Sequence, residues 1–238
     1  MAFEQLPVVP PTADTEVLNG AEPVSPDDWP ATLIFLTEGG GCTSTLVGSK
    51  VILTAAHCIG NGETGTIVAG GEEVSVTCDH HPVYPVKSAD FALCLITNGE
   101  ITSIPFEVVG TALAHARMDD PVTLSGYGCL EDGGRDRSFG MLHVGTATVT
   151  ETPVTDNLHT ITGGGAALCF GDSGGPAYFD AGDGERLIIG VNSQGDVSMK
   201  SALATTATAQ FVDWAFEWAK RNDARICGLH VGTRGCRS

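Results

Sequence analysis

Short apolar and β-branched runs, mostly about four to eight residues long, recur along the chain between clusters of Gly, Asp and Pro, the pattern of many short strands joined by turns. Thr32 to Leu36, Lys50 to Leu53, Thr66 to Val68, Val74 to Cys78, Ala92 to Ile96, Val122 to Ser125, Thr146 to Thr150 and Leu187 to Val191 are predicted strands. One stretch has a different period. Phe211, Trp214, Ala215 and Trp218 recur at three- and four-residue spacing, which predicts a helix over Ala209 to Arg221 with its aromatic stripe turned to a core; a stripe facing a partner or a membrane surface is the competing reading. The expected class is all-β. No internal sequence repeat is visible.

Composition narrows the classes of function. At 238 residues the chain makes one large or two small domains with a sizeable core, and its 31 glycines suit many tight turns. Hydrophobic residues reach 42%, yet no uninterrupted apolar stretch approaches the roughly eighteen residues of a membrane span. A formal net charge of -17 argues against nucleic acid, which needs basic patches. The expected partners therefore exclude nucleic acid and membrane, and the chain is expected to be a monomer. Eight cysteines point to an oxidising compartment, and the absence of a Cys-x-x-Cys pair argues against zinc. Asp79-His80-His81 is a weak metal candidate, so neither metal nor cofactor is expected. No charged segment followed by an apolar one precedes the domain. A secreted or periplasmic protein whose signal peptide is not in this sequence is expected, with an intracellular protein forming fewer disulfides as the alternative.

The most informative segment is Gly171-Asp172-Ser173-Gly174-Gly175-Pro176. A serine hydroxyl is a poor nucleophile alone and needs a base to take its proton and donors to hold the charge that develops on an attacked carbonyl oxygen. Flanking glycines let the backbone approach a substrate and converge its N–H groups. A base is available in Leu53-Thr54-Ala55-Ala56-His57-Cys58, where His57 follows a predicted strand. An acid is available in Asp90-Phe91-Ala92-Leu93-Cys94, where Asp90 opens another.

In that order, His57, Asp90 and Ser173 with their surrounding motifs resemble the trypsin and chymotrypsin family of serine endopeptidases, over about Val17 to Trp218. The resemblance implies two antiparallel six-stranded β-barrels and a C-terminal α-helix packed on the second. It divides the chain into an N-terminal extension 1–16, a first barrel 17–113, a second barrel 114–208 and a helical, disulfide-bearing tail 209–238. It also implies peptide hydrolysis through an acyl-enzyme, with His57, Asp90 and Ser173 as catalytic residues and the N–H groups of Gly171 and Ser173 as the oxyanion hole. The alternative is a catalytically silent binding protein on the same fold.

Further expectations rest on the same resemblance. Val17-Leu18-Asn19-Gly20 is similar to the family's mature N-terminus, so cleavage between Glu16 and Val17 would free an ammonium to pair with Asp172. The chain would then be a zymogen with a proline-containing propeptide. Glu16 stands where Arg or Lys is typical, implying self-processing with acidic preference or another activating protease. Ala167, Leu168, Ser193, Gln194, Gly195 and Leu203 are the expected substrate-binding residues. Ala167 stands where trypsin-like members carry an aspartate, so the residue before the cleaved bond, P1, is expected not to be basic but small to medium and apolar, or acidic if Lys200 reaches the pocket. Cys42 with Cys58 matches a family disulfide, worth about 3 kcal/mol for a loop of roughly fifteen residues. Cys78 with Cys94, and Cys227 with Cys236, are suggested by position. Cys129 is left to pair with Cys169, whose usual partner is missing.

Overall fold

The computed structural model describes residues 21–111, 116–131, 139–155, 157–180 and 185–237. Fourteen strands and one long helix follow in chain order among them. The first barrel uses β2 (Thr32–Thr37), β3 (Gly40–Gly48), β4 (Val51–Thr54), β5 (Thr64–Ala69), β6 (Glu72–His80) and β7 (Ala92–Ile96), after the short β1 (Glu22–Pro23). It closes in the order β2-β3-β4-β7-β6-β5. After β8 (Val108–Val109), the second uses β9 (Pro121–Gly126), β10 (His143–Glu151), β11 (His159–Gly163), β12 (Pro176–Asp180), β13 (Arg186–Gly195) and β14 (Ser201–Thr205). These run β10-β11-β14-β13-β12-β9 and close through a β9–β10 pairing. Counting strands from the start of each barrel, the two orders are identical. The wiring repeats although the sequence does not.

Alternation explains why these runs form barrels. On β10, the interior positions Ala147 and Val149 are buried while Thr146 and Thr150 face solvent, and the same period of two recurs on β9 with Val122 and Leu124 inside. Leu168, Ala177, Ile189 and Leu203 complete the second interior. The first interior, with Leu33, Phe35, Leu46, Ile52, Ile67, Val76 and Leu93, is continuous with residues of the seam such as Phe106, Tyr178 and Ile188. Glu107 in this seam is buried and is held by Arg186 through Nε at 3.1 Å and through Nη2, while Arg186 lies over the Trp29 ring. A buried carboxylate is tolerated because it is paired.

Two placements differ from the expectation by resemblance. β1 precedes the first barrel in sequence but pairs with β10 of the second, Glu22 opposite Val144. The helix α1 (Ala209–Arg221) has the predicted bounds, with Thr208 Oγ1 accepting from Phe211 N as its cap. It packs on the first barrel rather than only the second. Trp218 Nε1 donates to Asp79 on β6 at 2.7 Å, and Phe211 meets Phe91 with ring centroids 4.8 Å apart. Phe211, Ala215 and Trp218 are fully buried, so the aromatic stripe is core.

Four disulfides join Cys42 to Cys58, Cys78 to Cys94, Cys129 to Cys169 and Cys227 to Cys236. No helix among the described residues is long and apolar enough to cross a membrane.

Candidate active site

His57 sits in a single 3-10 turn, Ala56–Cys58, that directly follows β4. The Cys42–Cys58 disulfide ties this turn to β3. Asp90 lies just before β7, the strand that pairs with β4, so the β4–β7 register brings the two together: Thr54 stands opposite Ala92. Asp90 holds His57 at two points. Its Oδ1 accepts from the His57 backbone N–H at 2.9 Å, and its Oδ2 lies 2.7 Å from His57 Nδ1. Ser193 Oγ donates to the same Oδ2 at 2.6 Å. Burial opposes ionisation of Asp90, but the bonds from His57 and Ser193 outweigh it and hold the carboxyl below the usual carboxylate range. An imidazole held this way has Nδ1 protonated, which leaves Nε2 as the acceptor facing the cleft.

Ser173 comes from the other barrel, on the loop between β11 and β12, and Thr43 of β3 docks that loop against the first barrel. Thr43 N donates to the Ser173 carbonyl at 2.8 Å, and Thr43 Oγ1 donates to the Gly171 carbonyl at 2.8 Å. The approach is so close that a β-carbon on Gly174 would run into Thr54 Oγ1 and the Thr43 carbonyl, and Gly174 also has φ +85°. Only glycine meets both demands. Ser173 Oγ makes no direct hydrogen bond to His57; the disulfide sulfur of Cys58 lies nearby, 4.0 Å from His57 Nε2 and 3.7 Å from the Ser173 carbonyl oxygen. Pairs of this kind tighten when substrate binds. Among the described residues neither the Gly171 nor the Ser173 N–H has an acceptor, and Gly171 has φ +103°. Two open donors therefore lie beside the serine.

Asp172 points the opposite way from Ser173. Its Oδ1 accepts from Gly128 N at 2.8 Å and its Oδ2 from Cys169 N at 2.9 Å. The carboxyl packs against the backbones of Gly126 and Gly128, and no basic side chain among the described residues pairs with it. Burial pushes its pKa up to about 6, against the two N–H bonds.

A family model described as Trypsin matches residues 18–215. The chain belongs to the trypsin family. Its relatives include Proproteinase E of Bos taurus, 26% identical with 87% of this chain and 96% of that protein covered. Brachyurin of Leptuca pugilator is 25% identical, covering 83% of this chain and 96% of the relative. Chymotrypsin-like elastase family member 3B of Macaca mulatta is 24% identical over 87% and 96%.

In this trypsin-family chain the expected substrate-binding residues separate into two groups. Ser193, Gln194 and Gly195 end β13, with Gln194 opposite Ala202 and Gly195 opposite Ser201 on β14. Ala167 and Leu168 run alongside, and Leu168 N donates to Ser201 Oγ at 2.9 Å. Leu168 and Leu203, however, both join the core of the second barrel, and Leu203 is fully buried. Ala202, one residue earlier on the same strand, alternates to the opposite side. Val17, the expected activation residue, lies outside the described residues, as does most of the Glu131 to Ser138 loop.

The weak metal candidate comes apart in the structure. Asp79 is engaged by Trp218, His80 Nε2 by the Ile59 carbonyl at 2.6 Å, and His81 Nε2 by the Gln210 carbonyl at 3.2 Å. The sulfurs of Cys42 and Cys58 near His57 are spent in their disulfide and offer no thiolate.

Three contributors escaped the sequence reading. Gly128 and Thr43 act through backbone and hydroxyl contacts that carry no local signature. Asn192, fully buried, donates from Nδ2 to the Ser125 and Asp172 carbonyls at 3.0 and 3.2 Å. A polar residue inside the apolar run Leu187 to Val191 and its continuation was the available signal.

Proposed function

We propose that the chain is a serine endopeptidase that cleaves peptide bonds through an acyl-enzyme. The observation that carries this reading is the two-point hold of Asp90 on His57, completed by Ser193, beside a serine flanked by two open N–H groups. Ser173 Oγ attacks the scissile carbonyl while His57 Nε2 takes its proton. Asp90, ionised, keeps the Nδ1–H tautomer and stabilises the imidazolium. The Gly171 and Ser173 N–H groups receive the oxyanion, a contribution of about 3 to 4 kcal/mol per donor in comparable enzymes. His57 then protonates the leaving amine, and water, activated by the same imidazole, releases the acid.

The lack of a direct Ser173–His57 bond favours one competing reading, a catalytically silent binding protein. Labelling with a fluorophosphonate separates the two. Covalent labelling that disappears in Ser173→Ala supports the enzyme, and no labelling after processing at Glu16 overturns it.

The zymogen reading rests on Asp172. A buried carboxyl with no cation beside it among the described residues suits a structure awaiting one, and the Val17 ammonium released after Glu16 supplies it. Ala167, Gly195 and Ala202 would frame the P1 pocket, and none of them carries a charge, which favours small to medium apolar P1 residues over basic ones. The Lys200 side chain is exposed, which favours apolar over acidic P1 and, with it, a separate activating protease. The extension 1–16, barrels 17–113 and 114–208 and tail 209–238 remain the proposed division. The four disulfides favour a secreted or periplasmic protein, and a monomer acting on protein or peptide substrates remains the proposal.

A further inference from the structure

The hairpin that joins β13 to β14, residues 196–200, follows directly after the proposed substrate-binding strand Ser193 to Gly195. Residues 196–200 include no cysteine, so no disulfide closes it, although Val197 packs against the Cys129–Cys169 pair. One side chain closes it instead. Asp196 Oδ1 accepts from three successive backbone N–H groups, those of Ser198 at 3.0 Å, Met199 at 2.7 Å and Lys200 at 2.9 Å, and from Ser198 Oγ at 3.3 Å. The Asp196 N–H in turn donates to the Lys200 carbonyl at 3.1 Å. Within this ring Val197 has φ +58°, a left-handed conformation that a β-branched residue adopts only when its surroundings impose it.

The ring bears on the pocket from two sides. The Lys200 carbonyl sits where a side chain on Gly195 would begin, 2.8 Å from a β-carbon built there, so the hairpin backbone occupies the edge of the cleft. Ser201, the next residue, receives Leu168 N and thereby ties the hairpin to the Ala167–Leu168 wall. We infer that Asp196 is a positioning residue for substrate specificity: its carboxylate, by gathering the N–H groups of residues 198–200, fixes the distance between the Ser193–Gly195 strand and the Ala167–Leu168 wall. It touches neither the nucleophile nor the acid–base pair. The bonds from Lys200 and Met199 hold its pKa down to about 2, so the ring stays intact across the range in which peptidases work.

The inference rests on the peptidase reading, and two probes keep their failures apart. A small fluorophosphonate reports Ser173 and His57 without using the pocket, whereas a tetrapeptide anilide with leucine at P1 uses both. If the processed wild-type protein reacts with neither, the peptidase reading itself has failed. With an active wild type, Asp196→Ala is expected to raise KM for the anilide about tenfold or more, because an ångström of misplacement at a binding wall costs on this scale. Its rate of fluorophosphonate labelling stays within about twofold of wild type. Asp196→Asn, which keeps the acceptor oxygen without the charge, restores KM to within about threefold. An unchanged KM in Asp196→Ala overturns the inference. So does equal impairment of the Ala and Asn variants, which would assign the effect to charge, or loss of labelling together with turnover, which would assign it to the fold.

Discussion

Ser193 Oγ donates to the same oxygen of Asp90 that receives His57 Nδ1, so one carboxylate oxygen joins Asp90 and His57 of the first barrel to the proposed substrate-binding strand of the second. A hydrogen bond to a charged group is worth about 1.5 to 3 kcal/mol. Ser193→Ala is therefore expected to lower kcat/KM by roughly tenfold to a hundredfold and to raise the Asp90 pKa. The pH dependence of kcat/KM checks both, with the acid limb moving as the carboxylate loses its donor.

Asp90→Asn keeps the shape of the site but offers an N–H where His57 Nδ1–H needs an acceptor. The wrong tautomer then faces Ser173. A fall in kcat of about four orders of magnitude is expected, the loss known for this replacement in the family, with little change in thermal stability. Steady-state kinetics beside a melting curve separate the two effects.

If Val17 is freed as proposed, Asp172 is expected to make stability depend on processing. Its folded pKa of about 6 stands above the 3.8 of an unperturbed aspartate, so the folded state binds the proton more tightly than the unfolded chain. The resulting stability is complete below the unfolded value and is lost as pH rises through about 6, a change of about 3 kcal/mol for this shift. Unprocessed chain is expected to lose this stability between about pH 4 and 7. Chain beginning at Val17 loses much less, because the ammonium favours the ionised form. Urea unfolding of both forms at the two pH values measures the difference.

Replacing both Cys129 and Cys169 by alanine removes a cross-link spanning 40 residues. The chain-entropy model assigns such a loop about 4 kcal/mol. Because Cys169 N is also a donor to Asp172, kcat is expected to fall as well, while the Cys227–Cys236 pair removed in the same way affects stability alone. Chemical denaturation and kinetics on both variants check the contrast.

Gly174→Ala brings a β-carbon against Thr54 Oγ1 and the Thr43 carbonyl at a position with φ +85°. Backbone cannot retreat there without moving Ser173. Labelling by fluorophosphonate should be lost entirely, even where circular dichroism shows the strands retained.

Local physics made much of this molecule legible. The helix bounds could be read because Phe211, Trp214, Ala215 and Trp218 recur at helical spacing within Ala209 to Arg221, whereas the Thr208 cap emerged only in the structure. Val, Ile and Thr runs marked strands, but their pairing partners are set by register over long separations, which no local pattern encodes. Hence no local pattern announced that β1 pairs with β10. Leu203 shows the same limit on a finer scale: a displacement of one residue on a strand exchanges core for cleft, and Ala202 takes the side expected of Leu203. His57, Asp90 and Ser173 were legible as candidates because the proposed chemistry is tied to short motifs. Thr43, Gly128 and Asn192 were not, since each acts by where its backbone or amide happens to arrive.

The repeated strand order gives the proposed chemistry a particular vulnerability. Proton handling belongs to one copy of the wiring and the nucleophile to the other, so neither copy alone contains a working fragment. Whatever widens the joint by an ångström silences the enzyme while leaving each half intact, much as a lock fails when door and frame part although both are sound.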